Sequence, residues 1–338
     1  MSQLSYVEAI VVGAFQGFSE LFPISSLGHS VLVPALVGGR WAADLSVSAP
    51  ESPYLAFIVG LHVATAAALL VFFWRDWLLI IGGFFSSLRR REVADPYQRL
   101  AWLIVIATIP VGITGLLLEH TFRTTLGRPP VAAAFLIVNG VILAAGERLR
   151  RHDLAPAVAG SGETSTGHPD RPVTGGALTM GDVARAGAAR GGRDGHAAGT
   201  QVEAGAASDR RLAGLSVAAA GVIGSAQILA LLPGISRSGA TMVTGLVRGL
   251  SHEDAARFSF LLATPVIFAA GVLKIPDLFG HLGDGIHGQV LAGSLASFVT
   301  AYLSVRFLTR YFRTRTLIPF AIYSILLGAT SLTWLTLH

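Results

Sequence analysis

Six long apolar runs limit what this chain can fold into before any motif is considered. They are Leu55–Trp74, Leu100–Leu118, Val131–Ala145, Phe258–Lys274, Val290–Leu308 and Leu317–Leu335. Each crosses, or nearly crosses, a hydrocarbon core of ~30 Å as a helix. The expected class is therefore an all-α polytopic membrane protein. Composition agrees: 52% of residues are hydrophobic and 13% charged, where soluble domains carry about 25% charged residues. In such a chain the formal charge of +5 bears on orientation, and nucleic acid is not an expected partner. No cysteine is present, which excludes disulfide and thiolate chemistry. No basic stretch precedes the first apolar run near Leu4, so no cleavable leader is expected.

Two further apolar regions, Leu4–Val37 and Leu212–Leu250, are interrupted near their middles by polar motifs. Trp77–Leu88 is short and reads as an interfacial helix. Between residues 148 and 211 the composition changes. From Ala155 to Arg211, 25 of 57 residues are Gly or Ala and none is aromatic, which predicts a disordered linker. The domain reading follows: a first membrane repeat over 1–147, the linker over 148–211, and a second repeat over 212–338.

Arginine placement orients the runs. Arg75, Arg89, Arg90, Arg91 and Arg99 cluster between two of them, nine arginines fall in 148–211, and Arg306, Arg310, Arg313 and Arg315 precede the last run. The alternate connections are poor in basic residues. With basic loops inside, the linker is expected to be cytoplasmic, and the two interrupted regions either simply span or, on the preferred reading, enter as re-entrant hairpins from opposite faces. Weak self-similarity supports an inverted repeat, since Gly13/Gln16 and Gly224/Gln227 share Gly-x-x-Gln, followed by Pro, Ser and Gly with a one-residue slip. The expectation is an inverted-topology repeat with two re-entrant helical hairpins, 4–37 and 212–250, and about six transmembrane helices.

Ionisable groups inside membrane segments are costly and point to function. In "QGFSELFPISSLGHS", Glu20 follows Gln16 by four residues, one helical face, a spacing that suits a hard cation or a water. Pro23 breaks the helix, and Ser25 and Ser26 are N-cap candidates. Ser26 and His29 form the minimum pair for an activated nucleophile. In "LLPGISRSGATM", Arg237 stands among Ser236, Ser238, Gly239 and Thr241. Hydroxyls, free amides at a half-helix start and a planar guanidinium together describe a phosphate cradle. His62 and Asn139 are read as helix-to-helix hydrogen-bonding residues.

"QGFSELFPISSLGH" and "PGISRSGAT" resemble the two signature motifs of the bacterial undecaprenyl-pyrophosphate phosphatases of the bacitracin-resistance type, and the similarity covers essentially all of the apolar chain. The resemblance implies a multi-pass enzyme of the bacterial cell membrane that removes the terminal phosphate of undecaprenyl pyrophosphate, regenerating the carrier lipid for peptidoglycan. It implies a site open to the outer face, with Gln16, Glu20, Ser26, His29, Ser236, Arg237 and Thr241 as its important residues. Gln16 stands where many members have Glu, and "ELFP" replaces "EFLP". Glu20, Ser26, His29 and Arg237 are the catalytic candidates. Ser25, Ser236, Arg237, Ser238, Gly239 and Thr241 are the substrate-binding candidates, and Glu20 with Gln16 the ligands for Mg²⁺ or Ca²⁺. A homodimer is a further expectation. The rival reading is a polyprenyl-phosphate transporter or flippase, which needs midplane binding but no nucleophile.

Overall fold

A computed structural model of the chain describes residues 4–39, 53–159, 205–273, 275–276 and 285–337, and among these no strand occurs. The helices are α1 (Tyr6–Leu21), α2 (Ser26–Val37), α3 (Pro53–Phe72), α4 (Trp74–Arg90), α5 (Pro96–Leu126) and α6 (Pro129–Ala159). The second half supplies α7 (Gly205–Ala213) and α8 (Val217–Ser225), which tightens into a 3₁₀ turn over Ala226–Leu231. It continues with α9 (Arg237–Val247), α10 (His252–Leu273), α11 (His287–Tyr311) and α12 (Ile318–Leu337).

Five helices are individually long and apolar enough to cross a membrane: α5, α6, α10, α11 and α12. The sixth predicted span is α3. It passes the same test together with α4, from which it is bent by 87°. That bend places α4 across the direction of α3, as an interfacial helix requires. Leu78, Leu79, Ile81, Phe85 and Leu88 are exposed on it.

The interrupted regions fold as two broken pairs, α1 with α2 and α8 with α9. At ~1.5 Å per residue, the 16 residues of α1 and the 12 of α2 are each too short to cross. Three crossing helices, α3, α5 and α6, separate the pairs in sequence. Three is odd, so the second pair enters from the face opposite the first. Hairpin α1/α2 starts beside the first turn of α11, where Leu4, Tyr54, Phe57, Ile286 and Val290 cluster. From there α1 runs alongside α11.

Small residues make that approach possible. A Cβ on Gly13 would lie 2.1 Å from the Gly293 carbonyl oxygen, and one on Gly17 would lie 2.1 Å from that of Ser297. Gly224 does the same for the second repeat, where a Cβ would lie 2.0 Å from the Ala107 carbonyl oxygen of α5. The paired glycines of the two Gly-x-x-Gln motifs thus do one job, seating the first hairpin arm of each repeat on a long span. The core between the repeats is filled by Leu21, Leu69, Leu103, Phe258, Phe260, Leu261 and Leu308, all buried.

Within 148–211, helix α6 continues to Ala159, and Gly205–Ala213 is helical. Asp209, 1% exposed, accepts from Arg257 Nε at 2.7 Å, and Arg257 also pairs with Asp76 of α4 at 2.9 Å. Arg211 grips Asp254 at 2.8 Å through two nitrogens. Those charges fix a segment that composition alone assigned to linker. Residues 160–204 lie outside the described residues.

Candidate active site at the hairpin tips

Both broken pairs open at a serine N-cap. The Ser25 hydroxyl accepts from the Gly28 N–H at 3.2 Å, and the Ser236 hydroxyl from the Gly239 N–H at 3.1 Å. In each case the cap lies three residues before a glycine, so Ser25-Ser26-x-Gly28 and Ser236-Arg237-x-Gly239 are structural equivalents. Gly234, at φ 113°, is the extra residue behind the one-residue slip between the motifs. It holds a left-handed conformation that favours glycine and packs where a Cβ would meet the Ala132 carbonyl oxygen at 2.5 Å. Ser26 and Arg237 thus occupy the first helical position of α2 and α9. Their helix N-termini leave N–H groups without intrahelical acceptors, a setting that suits an anion.

Glu20, in the last turn of α1, is the centre of the constellation. Arg237 Nη2 donates to its Oε1 at 3.2 Å, across 217 positions of sequence. Gln16 Nε2 donates to its Oε2 at 3.1 Å, and the Ser26 hydroxyl donates to the same oxygen. Glu20 and Arg237 side chains are 8% and 10% exposed, so the ion pair is shielded from water and correspondingly strong. Among the described residues Arg237 Nη1 is buried without a hydrogen-bond partner. An unused guanidinium donor at a buried site costs free energy, and a phosphate oxygen would satisfy it.

His62 of α3, expected to hydrogen-bond between helices, meets Gln16 of α1 and so stands beside Glu20 at the site. Its Nε2 lies 3.4 Å from Gln16 Nε2 and 3.8 Å from Glu20 Oε2. Its Nδ1 faces the Ile58 carbonyl oxygen at 2.9 Å. A carbonyl can only accept, so Nδ1 carries the proton and Nε2 of the neutral ring is the free base. At 31% its side chain is more open than those of Glu20 and Arg237. The only sequence signal was an ionisable group inside an apolar run.

His29 takes a different place from the one its spacing suggested. Nδ1 donates to the Ser25 carbonyl at 2.7 Å, and Nε2 accepts from the Tyr323 hydroxyl at 2.8 Å. Both nitrogens are engaged, and neither engages Ser26. The remaining substrate-binding candidates are turned to internal work. Ser238 donates to the Phe22 carbonyl at 3.2 Å, and Thr241 bonds Ser259 at 2.7 Å, both buried. These bonds tie the second motif to the tip of the first.

Asn139 on α6 also serves both tips. Its amide nitrogen donates to the Pro23 carbonyl at 3.1 Å and to Ser324 at 3.2 Å, while its carbonyl oxygen accepts from the Ser236 N–H at 2.9 Å. Gln227, the repeat partner of Gln16, is buried with both amide atoms unpartnered among the described residues.

A divalent cation at Glu20 and Gln16 would find one carboxylate. Among the described residues no three of His, Cys, Asp and Glu converge as a ligand cluster. Hard cations take six or more oxygen ligands, water among them, so this donor set supplies only part of a coordination shell.

Two opposed helix starts, a buried arginine with a spare donor and a serine on a carboxylate define the class: an integral-membrane, inverted-repeat protein with a phosphate-handling site where its hairpins meet. Comparison with known proteins places it more narrowly. The family described as "Bacitracin resistance protein BacA" matches residues 9–330, and the chain belongs to that family. It is 64% identical over 337 residues to an undecaprenyl-diphosphatase of Mycolicibacterium paratuberculosis, covering 100% of this chain and 99% of that one. It is 55% identical to undecaprenyl-diphosphatase 1 of Frankia casuarinae (97% and 98% covered) and 38% identical to that of Granulibacter bethesdensis (99% and 98%).

Proposed function

We propose that this chain is an undecaprenyl-diphosphatase of the bacterial cell membrane, cleaving undecaprenyl pyrophosphate to undecaprenyl phosphate and phosphate. Its product returns the carrier lipid to peptidoglycan synthesis, and its abundance raises resistance to bacitracin. The names of its relatives support the reaction. The observation that carries the reading is the joining of Ser26 and Arg237 on one carboxylate, Glu20. A site that only ferried lipid would need the arginine but not the serine.

Arg237 binds the terminal phosphoryl group through Nη1 and its plane is held by Glu20 through Nη2. The fork supplies charge where the transferred oxygens accumulate it. Ser26 Oγ attacks the terminal phosphorus as its proton passes to Glu20 Oε2. The bond from that phosphorus to the bridging oxygen breaks, and its electron pair leaves on undecaprenyl phosphate. Water then attacks the phosphoserine and gives one proton to His62 Nε2, the proton held on Glu20 returns to the departing Ser26 oxygen, and inorganic phosphate is freed with the serine hydroxyl restored. His62 Nε2, the accessible base, exchanges protons between Glu20 and water. His29 positions the Ser25 carbonyl, and so the start of α2.

Mg²⁺ or Ca²⁺ belongs to this reading as a cation carried on the diphosphate, with Glu20 and Gln16 as protein ligands and charge neutralisation as its contribution. The arginine-rich loops support a cytoplasmic linker and a site open to the extracytoplasmic side.

Purified protein in detergent, with no gradient, given undecaprenyl pyrophosphate labelled at its terminal phosphate tests both parts. Labelled phosphate is released, rapid quench traps label on Ser26, and Ser26→Ala loses both. Folded protein that releases none would sink the hydrolase reading. Release without protein-bound label, with substantial activity left in Ser26→Ala, would sink the nucleophile.

A further inference from the structure

The inner end of α11 carries a second anion-binding feature, apart from the hairpin tips. Leu303, Arg306, Phe307, Arg310, Tyr311, Thr314 and Arg315 line an open groove of about 440 Å³. Three of the seven lining residues are arginines and none is acidic. The neighbouring Arg313 is directed elsewhere, to Glu253 at 3.1 Å. Arg306 and Arg315 are exposed, and planar guanidiniums suit phosphate oxygens.

What lies along α11 identifies the kind of anion. Leu291, Leu295, Val299, Leu303 and Phe307 recur every four residues and are all exposed. They form one apolar stripe along the helix, ending at the arginines. Tyr311 and Phe307, tilted against each other at 5.5 Å, stand at the junction, the aromatic placement of a membrane interface. A strip for hydrocarbon leading to a basic groove has the proportions of an amphiphile. Basic pockets of this kind beside membrane helices bind lipid headgroups.

We infer that Arg306 and Arg315, with the Leu291–Phe307 stripe, bind the phosphate headgroup and an acyl chain of an anionic phospholipid. The phosphate of such a lipid is chemically like free phosphate, and the hydrocarbon stripe distinguishes the two.

The test uses the full chain, delipidated in neutral detergent and titrated with phosphatidylglycerol or phosphatidylcholine in mixed micelles. Bound lipid is counted by native mass spectrometry. Phosphatidylglycerol is retained in preference, and Arg306→Gln/Arg315→Gln weakens its binding by about tenfold or more. Phosphate release from a soluble short-chain prenyl diphosphate stays within about twofold in that variant, since neither arginine touches the tips. Arg306→Lys/Arg315→Lys keeps the charge but loses the fork, and falls between the two. Retention unchanged in both variants would overturn the site. Displacement of phosphatidylglycerol by inorganic phosphate at equal concentration would show a free-phosphate site and overturn the lipid assignment.

Discussion

At the scale of single residues, the site depends on one carboxylate serving three donors. Glu20 receives Arg237 on one oxygen and Gln16 and Ser26 on the other. The roles of the donors are not interchangeable. Lysine at 237 keeps a charge but not two coplanar donors, one for Glu20 and one for phosphate. Arg237→Lys is expected to lose at least about tenfold in kcat, with Arg237→Ala lower still. A lysine variant with full turnover would reduce Arg237 to an anchor. Glu20, Ser26 and Arg237 were legible in the sequence because each breaks an apolar run. His62 breaks one too, but a lone histidine in a span is consistent with simple helix packing. Its position beside Glu20 depends on how α3 is rotated against α1, and rotation is set by packing alone. The same holds for His29. Three residues from Ser26, it was a reasonable base until the ring found Ser25 and Tyr323, the latter 294 positions away.

At the scale of elements, the two half-helices act as a pair because α6 joins them. Asn139 meets the Pro23 carbonyl of one hairpin and the Ser236 N–H of the other. Asn139→Leu fills the space but strands both groups, each buried. Leaving one such group unsatisfied costs ~1–3 kcal/mol. The expected outcome is a lowered melting temperature in detergent, together with a fall in kcat larger than any rise in KM, since the two helix starts lose their common tie. A variant with native stability and turnover would mean that the tips hold themselves in place. The motif serines divide along the same line. Ser25 and Ser236 cap, Ser238 and Thr241 cross-link, and Ser26 alone among the hydroxyls considered points at the carboxylate.

At the scale of the whole molecule, one face of the protein is knitted by charge. Asp76, Asp209 and Arg257 link α4, α7 and α10, while Glu147 and His252 link α6 to α10 at 2.8 Å. Arginine counts alone had put these segments on the same side, and the ion pairs join them there. The belt also sets the limits of the Gly/Ala-rich tract. Replacing residues 160–204 with a short Gly/Ser tether is expected to leave detergent activity within about threefold, because no aromatic residue or motif lies in it. Extending the replacement through Asp209 removes a buried partner of Arg257. Arg257 is then left with Asp76 of α4, the tie from α7 to α10 through Arg257 is lost, and protein yield and melting temperature fall. Activity lost a hundredfold on the shorter replacement, with folding intact, would refute the tether reading.

Local chemistry settled much of this in advance. Apolar length gave the spans, proline and glycine gave the breaks, arginine asymmetry gave the opposed entry of the hairpins, and the two motifs named the carboxylate, the serine and the arginine. All of these follow from properties a residue carries within a few positions of itself, and so can be read along the chain. Which hydroxyl meets Glu20, which histidine stands open beside it, and where Asn139 ties the tips depend on helix rotation and depth. Those are fixed by contacts as close as Gly13 on Gly293 and Gly224 on Ala107. Such contacts form between residues more than a hundred positions apart, and steric fit between backbones leaves no local signature beyond a glycine. The ends of α6 and α7 are hard to read from sequence for the same reason: Asp209 has linker-like neighbours in sequence, and only the fold sets Arg257 beside it.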